Sequence, residues 1–181
     1  MSGLKRFRPV LAAIPRNSAA MYPMKPQSER IIIQVAHVVR DLEKAIKQYS
    51  SVFEVGPWDV YTFAPPTLRE SMYLGKSSNH TYRLAVTWVG GTQLELMQPL
   101  TGYSCYDDFL ERKGEGLHHI KEKVDDCQQA IAEYAKKGIN VIQSGKFGED
   151  EFYYLDTEPS VGIVIELGNN GKIPPPELRL P

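Results

Sequence analysis

Gly116-Leu117-His118-His119-Ile120 opens the segment that decides how this 181-residue chain is read. Two of the four histidines stand side by side in it. Neighbouring side chains on a strand point to opposite faces, so the alternation predicts that only one of the pair looks inward. We expect that one to be His119, with His118 in the packing layer. Asp125 or Asp126 then caps a helix that carries Cys127, Ala130, Ile131 and Tyr134, and Gly138 ends it. Residues 139–143, 151–156 and 161–167 follow as strands, with Thr157-Glu158-Pro159-Ser160 as a turn. The unit reads strand, helix, strand, strand, strand.

The same order lies upstream. Residues 31–39 are rich in β-branched side chains and predict a strand buried on both faces. Asp41 caps a helix with Leu42, Ala45, Ile46, Tyr49 and Phe53 on one side. Gly56-Pro57 ends it. Residues 58–63, 82–89 and 92–98 read as strands, the last two joined by the two-residue turn Gly90-Gly91. Residues 64–79 form a long connection, which we expect to be a lid or a mobile loop. The expected divisions are an N-terminal arm (1–29), a first βαβββ module (30–99), a crossover with a short helix (100–115), a second βαβββ module (116–168) and a surface tail (169–181). The fold class is α+β, with the two paired modules forming an open, barrel-like cleft.

Composition narrows the function classes. Hydrophobic residues make up 42% and charged residues 24%, an ordinary globular balance. Net charge is -1 and no basic stripe occurs, so no nucleic-acid partner is expected. No apolar run is long enough to span a membrane. Cys105 and Cys127 fit no metal or redox spacing and predict two reduced thiols in a cytoplasmic protein. Lys5, Arg6, Arg8, Arg16 and Lys25 precede the first acid, Glu29, a bias shared with transit peptides. Pro9, Pro15, Pro23 and Pro26 would break a targeting helix, so residues 1–28 are read as an extended arm.

The duplication gives the chemistry. Each half has a histidine in its first strand and a glutamate in its last, and each glutamate lies in an apolar stretch: Leu94-Glu95-Leu96-Met97 and Val164-Ile165-Glu166-Leu167. A buried unpaired carboxylate costs several kcal/mol. Two at matched places predict a partner. His37, Glu95, His119 and Glu166 would line one cleft and bind one divalent first-row metal ion: zinc, nickel, cobalt, manganese or iron.

Gln34-Val35-Ala36-His37-Val38-Val39, Thr92-Gln93-Leu94-Glu95-Leu96-Met97-Gln98-Pro99-Leu100, Gly116-Leu117-His118-His119-Ile120 and Val164-Ile165-Glu166-Leu167 occur in this order. Together they resemble the vicinal oxygen chelate superfamily, which holds glyoxalase I, extradiol dioxygenases, bleomycin-resistance proteins and methylmalonyl-CoA epimerase. The likeness covers residues 31–168 and is greatest to the epimerase and glyoxalase I branch. It implies the same four ligands, a small-molecule carbonyl substrate chelated through two oxygens, and a homodimer. One departure stands out. Epimerases that this chain resembles carry a second basic glutamate on a first-module strand, but here that strand reads Arg83-Leu84-Ala85-Val86-Thr87-Trp88.

The expected activity is a metal-dependent isomerase, epimerase or lyase that stabilises an enolate or enediolate. Glu166 is the first candidate base and Glu95 the second. Trp58, Tyr61, Phe63, Tyr82, Trp88 and Tyr153 are the expected substrate-binding side chains. A ferrous ring-cleaving dioxygenase and a metal-free small-molecule-binding protein are the alternatives. A dioxygenase typically uses two histidines and one carboxylate, so a second glutamate counts against it.

Overall fold

The computed structural model describes residues 30–181, and the arm expected over 1–29 lies outside them. The first half holds β1 (Ile31–Val38), α1 (Leu42–Phe53), β2 (Trp58–Phe63), β3 (Leu68–Tyr73), β4 (Lys76–Ser77), β5 (Thr81–Val89) and β6 (Thr92–Thr101). Then come α2 (Cys105–Lys113), β7 (Gly116–Lys123), α3 (Cys127–Ala135), β8 (Val141–Phe147), β9 (Asp150–Leu155), α4 (Glu158–Val161), β10 (Val164–Gly168) and β11 (Leu178–Leu180). The helix that follows the first strand of each repeat starts where the sequence places its cap. Asp41 accepts from the Lys44 N–H at 2.9 Å, and Asp126 accepts from the Gln129 N–H at 2.9 Å.

All eleven strands join one mixed sheet in the order β11-β2-β5-β6-β1-β7-β10-β9-β8-β3-β4. The two βαβββ repeats meet where β1 pairs antiparallel with β7. On either side of that seam, β6 and β10 pair parallel with β1 and β7, so the repeats mirror one another. In a flat sheet, β2 and β8 would be about 34 Å apart at the usual interstrand spacing. Instead the Phe63 ring of β2 stacks on Phe147 of β8 with centroids 3.9 Å apart. The sheet is therefore curled into a half-barrel, an α+β architecture as the sequence predicts.

The alternation of side chains divides the interior. Ala36, Val38, Tyr61, Phe63, Tyr82, Met97, Phe152, Tyr154 and Val164 fill the concave side. The crossover helix α2 presses Tyr106, Phe109 and Leu110 into the same space. Trp58, Val60, Ala85 and Leu96 face the convex side under α1, and Leu155 and Leu167 face it under α3.

Three expectations are corrected here. Residues 64–79 do not form a loop: β3 and β4 make a hairpin whose first strand pairs with β8 and extends the sheet. The turn at 157–160 is completed by the one-turn helix α4. The tail does not lie wholly unpaired, because β11 pairs antiparallel with β2. In the last two cases the sequence is short and Pro-rich, and the surrounding fold supplies the partners.

Candidate metal centre

The register brings the site together at the seam. Ala36 of β1 stands between Glu95 of β6 and His119 of β7. The next inward-facing row holds Gln93, Gln34, Lys121, Glu166 and Tyr154. The small side chain of Ala36 lets Glu95 and His119 meet across it. His119 Nε2 lies 2.8 Å from Glu166 Oε2 and 3.4 Å from Glu95 Oε2. One donor atom from each of these three residues falls within 4.8 Å of the others. All three are buried: Glu95 is 5% exposed, His119 0% and Glu166 3%.

These contacts are close without being satisfied hydrogen bonds. His119 Nε2 and Glu95 Oε2 are both buried with no partner of proper geometry. An unpaired buried polar atom is costly, and several converging on one point suit a cation. The donor chemistry fits a divalent first-row ion: one imidazole, two carboxylates to offset the charge, and no other ligating His, Cys, Asp or Glu in this group among the described residues.

The second histidine orients the first. Between Ala36 and His37 the β1–β7 register slips by one residue, which inserts His118 as a bulge. Both rings therefore turn to the concave side, against the expectation that adjacent residues must part. His118 stands edge-on to Phe109, Tyr106 and Tyr154. Its Nδ1 is 2.9 Å from His119 Nδ1. Burial, helped by the neighbouring His119, drives the His118 pKa well below the ordinary value, so this ring is neutral. A neutral His118 can accept the His119 Nδ1–H, which turns His119 Nε2 toward the carboxylates.

The three groups perturb one another strongly. Burial works against a charged His119, but Glu166 and Glu95 outweigh it and lift its pKa to about 9. Burial pushes Glu95 upward, the larger influence, while His119 pulls it down. Burial also opposes ionisation of Glu166, yet Lys121 and His119 together hold it at about 2.

His37 is not part of the group. The strand turns Gln34, Ala36 and Val38 inward, so His37 points to the convex side, where its ring lies 5.7 Å from Tyr49 of α1. Gln34 occupies the inward position that sequence reasoning gave to His37. Its Nε2 donates to Gln93 Oε1 at 2.6 Å, and its own Oε1 is buried without a partner. The six aromatic candidates separate likewise. Tyr61, Phe63 and Tyr82 are in the concave core. Trp58 is on the convex side, where its Nε1 donates to Ser50 Oγ at 2.9 Å. Tyr153 packs toward α3 and donates to Glu151 Oε2 at 2.8 Å. Trp88 pairs with Gln93 at the hairpin end of β5, 60% exposed at the rim.

Two inward-facing groups were missed. Gln34 carried a signal as the one polar side chain between Ile31 and Ala36. Lys121 carried a clearer one: it is two residues from His119 and must share its face. Its Nζ lies 3.0 Å from Glu166 Oε1 and 3.1 Å from Asp150 Oδ2.

A half-barrel of paired βαβββ repeats with buried carboxylates and a histidine at its seam is the α+β fold class to which this chain belongs. Residues 33–154 match the family model described as the Glyoxalase/Bleomycin resistance protein/Dioxygenase superfamily, and the chain belongs to that superfamily. It is 30% identical over 139 residues to a mitochondrial methylmalonyl-CoA epimerase of Bos taurus, covering 74% of this chain and 70% of that protein. It is 28% identical over 138 residues to the Homo sapiens protein of the same name, covering 74% and 70%. The structure of a methylmalonyl-CoA epimerase in complex with methylmalonyl-CoA and NH4+ superposes with a TM-score of 0.59. That likeness spans 81% of this chain and 99% of the other at 19% identity. The relatives support an isomerase or epimerase type of function. Among the described residues no helix is long and apolar enough to cross a membrane.

Proposed function

We propose that this chain is a metal-dependent isomerase or epimerase acting on a carbonyl substrate of the acyl-CoA thioester class. The observation that carries the reading is the convergence of His119 Nε2, Glu95 and Glu166 in a buried site with unpartnered atoms. The named relatives supply the substrate class. Glu95, His119 and Glu166 would hold the ion, and the amide oxygen of Gln34 would be the fourth donor from β1. When bound, such an ion supplies Lewis acidity toward the substrate carbonyl and eases loss of the adjacent proton.

The protein's own groups do the rest. A carboxylate of the Glu95/Glu166 pair accepts the proton from the carbon next to the carbonyl. Tyr82, Tyr106 and Tyr154 surround these carboxylates and exclude water, which strengthens each electrostatic contact. Inversion of a carbon centre needs a proton donor on its second face. Along β5, Tyr82, Leu84, Val86 and Trp88 share the inward row, so the Tyr82 hydroxyl is the proton-carrying group this strand offers. A one-base isomerisation needs no such partner. Two free, buried thiols suit a reducing compartment such as the cytoplasm, and a homodimer belongs to the same reading.

Incubation with methylmalonyl-CoA in D2O tests this. Proton NMR should show loss of the methine proton in a metal-dependent way. Exchange with inversion marks an epimerase, and exchange with retention marks an enolate formed and reprotonated by a single base on one face. Absence of exchange in fully metallated protein removes the thioester from the proposal.

A further inference from the structure

Lys121 has no task in the scheme above, yet it is built firmly into the barrel. Its side chain is 9% exposed, and its ammonium bridges Glu166 Oε1 and Asp150 Oδ2. Asp150 is itself fixed, since its Oδ1 accepts the Gly171 N–H at 3.1 Å. Room for the lysine stem comes from Gly168 on the neighbouring strand, where any Cβ would collide with Lys121 Cε. The two oxygens of Glu166 are thus divided: Oε1 belongs to Lys121, and Oε2 faces His119. The buried acids Glu95, Glu166 and Asp150, set against Lys121, leave the barrel with the charge that one divalent cation offsets.

We propose that Lys121 is a positioning residue that holds Glu166 as a one-oxygen donor and, paired with Asp150, sets the charge of the metal centre to match a divalent ion. The inference rests on the metal-centre reading. A carboxylate that grips an ion through one oxygen leaves coordination positions open for a chelating substrate. An ammonium next to the ion also weakens its binding, and Asp150 moderates that repulsion.

Opposite signs test the idea. Apoprotein is titrated with Zn2+ and with Mn2+ by calorimetry, in wild type, K121M, K121R and D150N. K121M should bind both ions about tenfold more tightly, because a nearby positive charge is gone and Glu166 can use both oxygens. D150N should bind about tenfold more weakly, although Asp150 touches no ligand site. K121R, which keeps the charge, should stay near wild type. A merely structural lysine would weaken binding in K121M and D150N alike, and that result overturns the proposal. If K121M does not fold, the double variant K121M/D150N removes Lys121 together with its second buried acid partner and so keeps the net charge of the barrel. It should bind at least as tightly as wild type, and weaker binding than D150N alone also overturns the proposal. Wild-type protein that takes up neither ion would sink the metal centre itself. Metal uptake with equal affinity in all variants would sink only the role of Lys121.

Discussion

In the proposed metal centre His119 is the imidazole ligand, and its ring contacts His118. The bulge brings both imidazoles inward, and with their Nδ1 atoms 2.9 Å apart His119 Nε2 points at Glu95 and Glu166. His119→Ala should abolish metal uptake, measured by elemental analysis, while the circular dichroism spectrum stays that of a folded protein. His118→Phe keeps the aromatic packing against Phe109 and Tyr154 but removes the acceptor. It should weaken metal affinity by 10–100-fold, roughly the usual effect of losing a group that orients a ligand, with no change in stoichiometry. Affinity unchanged in His118→Phe would mean that the His119 ring is held by packing alone. Much of the candidate site is legible in sequence. Glu95 and Glu166 stand out as charges in apolar strands, and His119 follows from the repeat. His37 misled because β1 is apolar on both faces, so nothing in its local pattern says which side each residue takes. Gln34 then passed as an ordinary polar residue.

The inserted hairpin and the crossover show how elements outside the repeat support it. β3 turns into β4 through Leu74 and Gly75, at φ 48° and 74°. Both are left-handed, as a two-residue hairpin turn requires, and leucine is a poor residue for that region. Leu74 pays little back by packing, being 61% exposed, while its N–H donates to the Ile142 carbonyl at 2.7 Å. Leu74→Asn should stabilise the protein by about 1 kcal/mol, read as a higher urea midpoint, since asparagine tolerates this conformation. A lower midpoint would mean that the Leu74 side chain contributes more than its strain costs. At the crossover, Glu158 of α4 binds Lys113 and Arg112 of α2, the latter at 2.8 Å. Burial pushes the Glu158 carboxyl up, but the two cations outweigh it and hold its pKa below the usual 4.5. Its contribution to stability is therefore present above pH 4.5 and lost as the pH falls through the lowered folded value. Glu158→Gln should flatten that acid limb of the stability curve and leave the metal affinity unchanged. The insert escaped sequence reading because its strands are short and rich in polar residues. Their partner, β8, is distant in the chain and becomes available only once the sheet has curled.

The described residues form two repeats joined at one seam, and the proposed ion would lie on that seam. Glu95 comes from the first repeat, while His119 and Glu166 come from the second. The mirrored order of the repeats was legible from helix caps and alternation alone. Closure of the half-barrel was not, because it depends on contacts such as Phe63 on Phe147 between strands far apart in the sheet order. An ion that bridges both repeats binds the folded state and not the separated halves, so it should raise global stability by mass action. At an ion concentration about 100 times the dissociation constant, the gain is about 2.7 kcal/mol. For a domain of this size that corresponds to a rise in Tm of about 5–10 °C. Adding a chelator should reverse the rise in wild type and have no effect in His119→Ala. The same shift in both proteins would place the stabilising ion somewhere other than the seam. A shift in wild type alone would tie the cohesion of the two repeats to the group that we propose carries the chemistry.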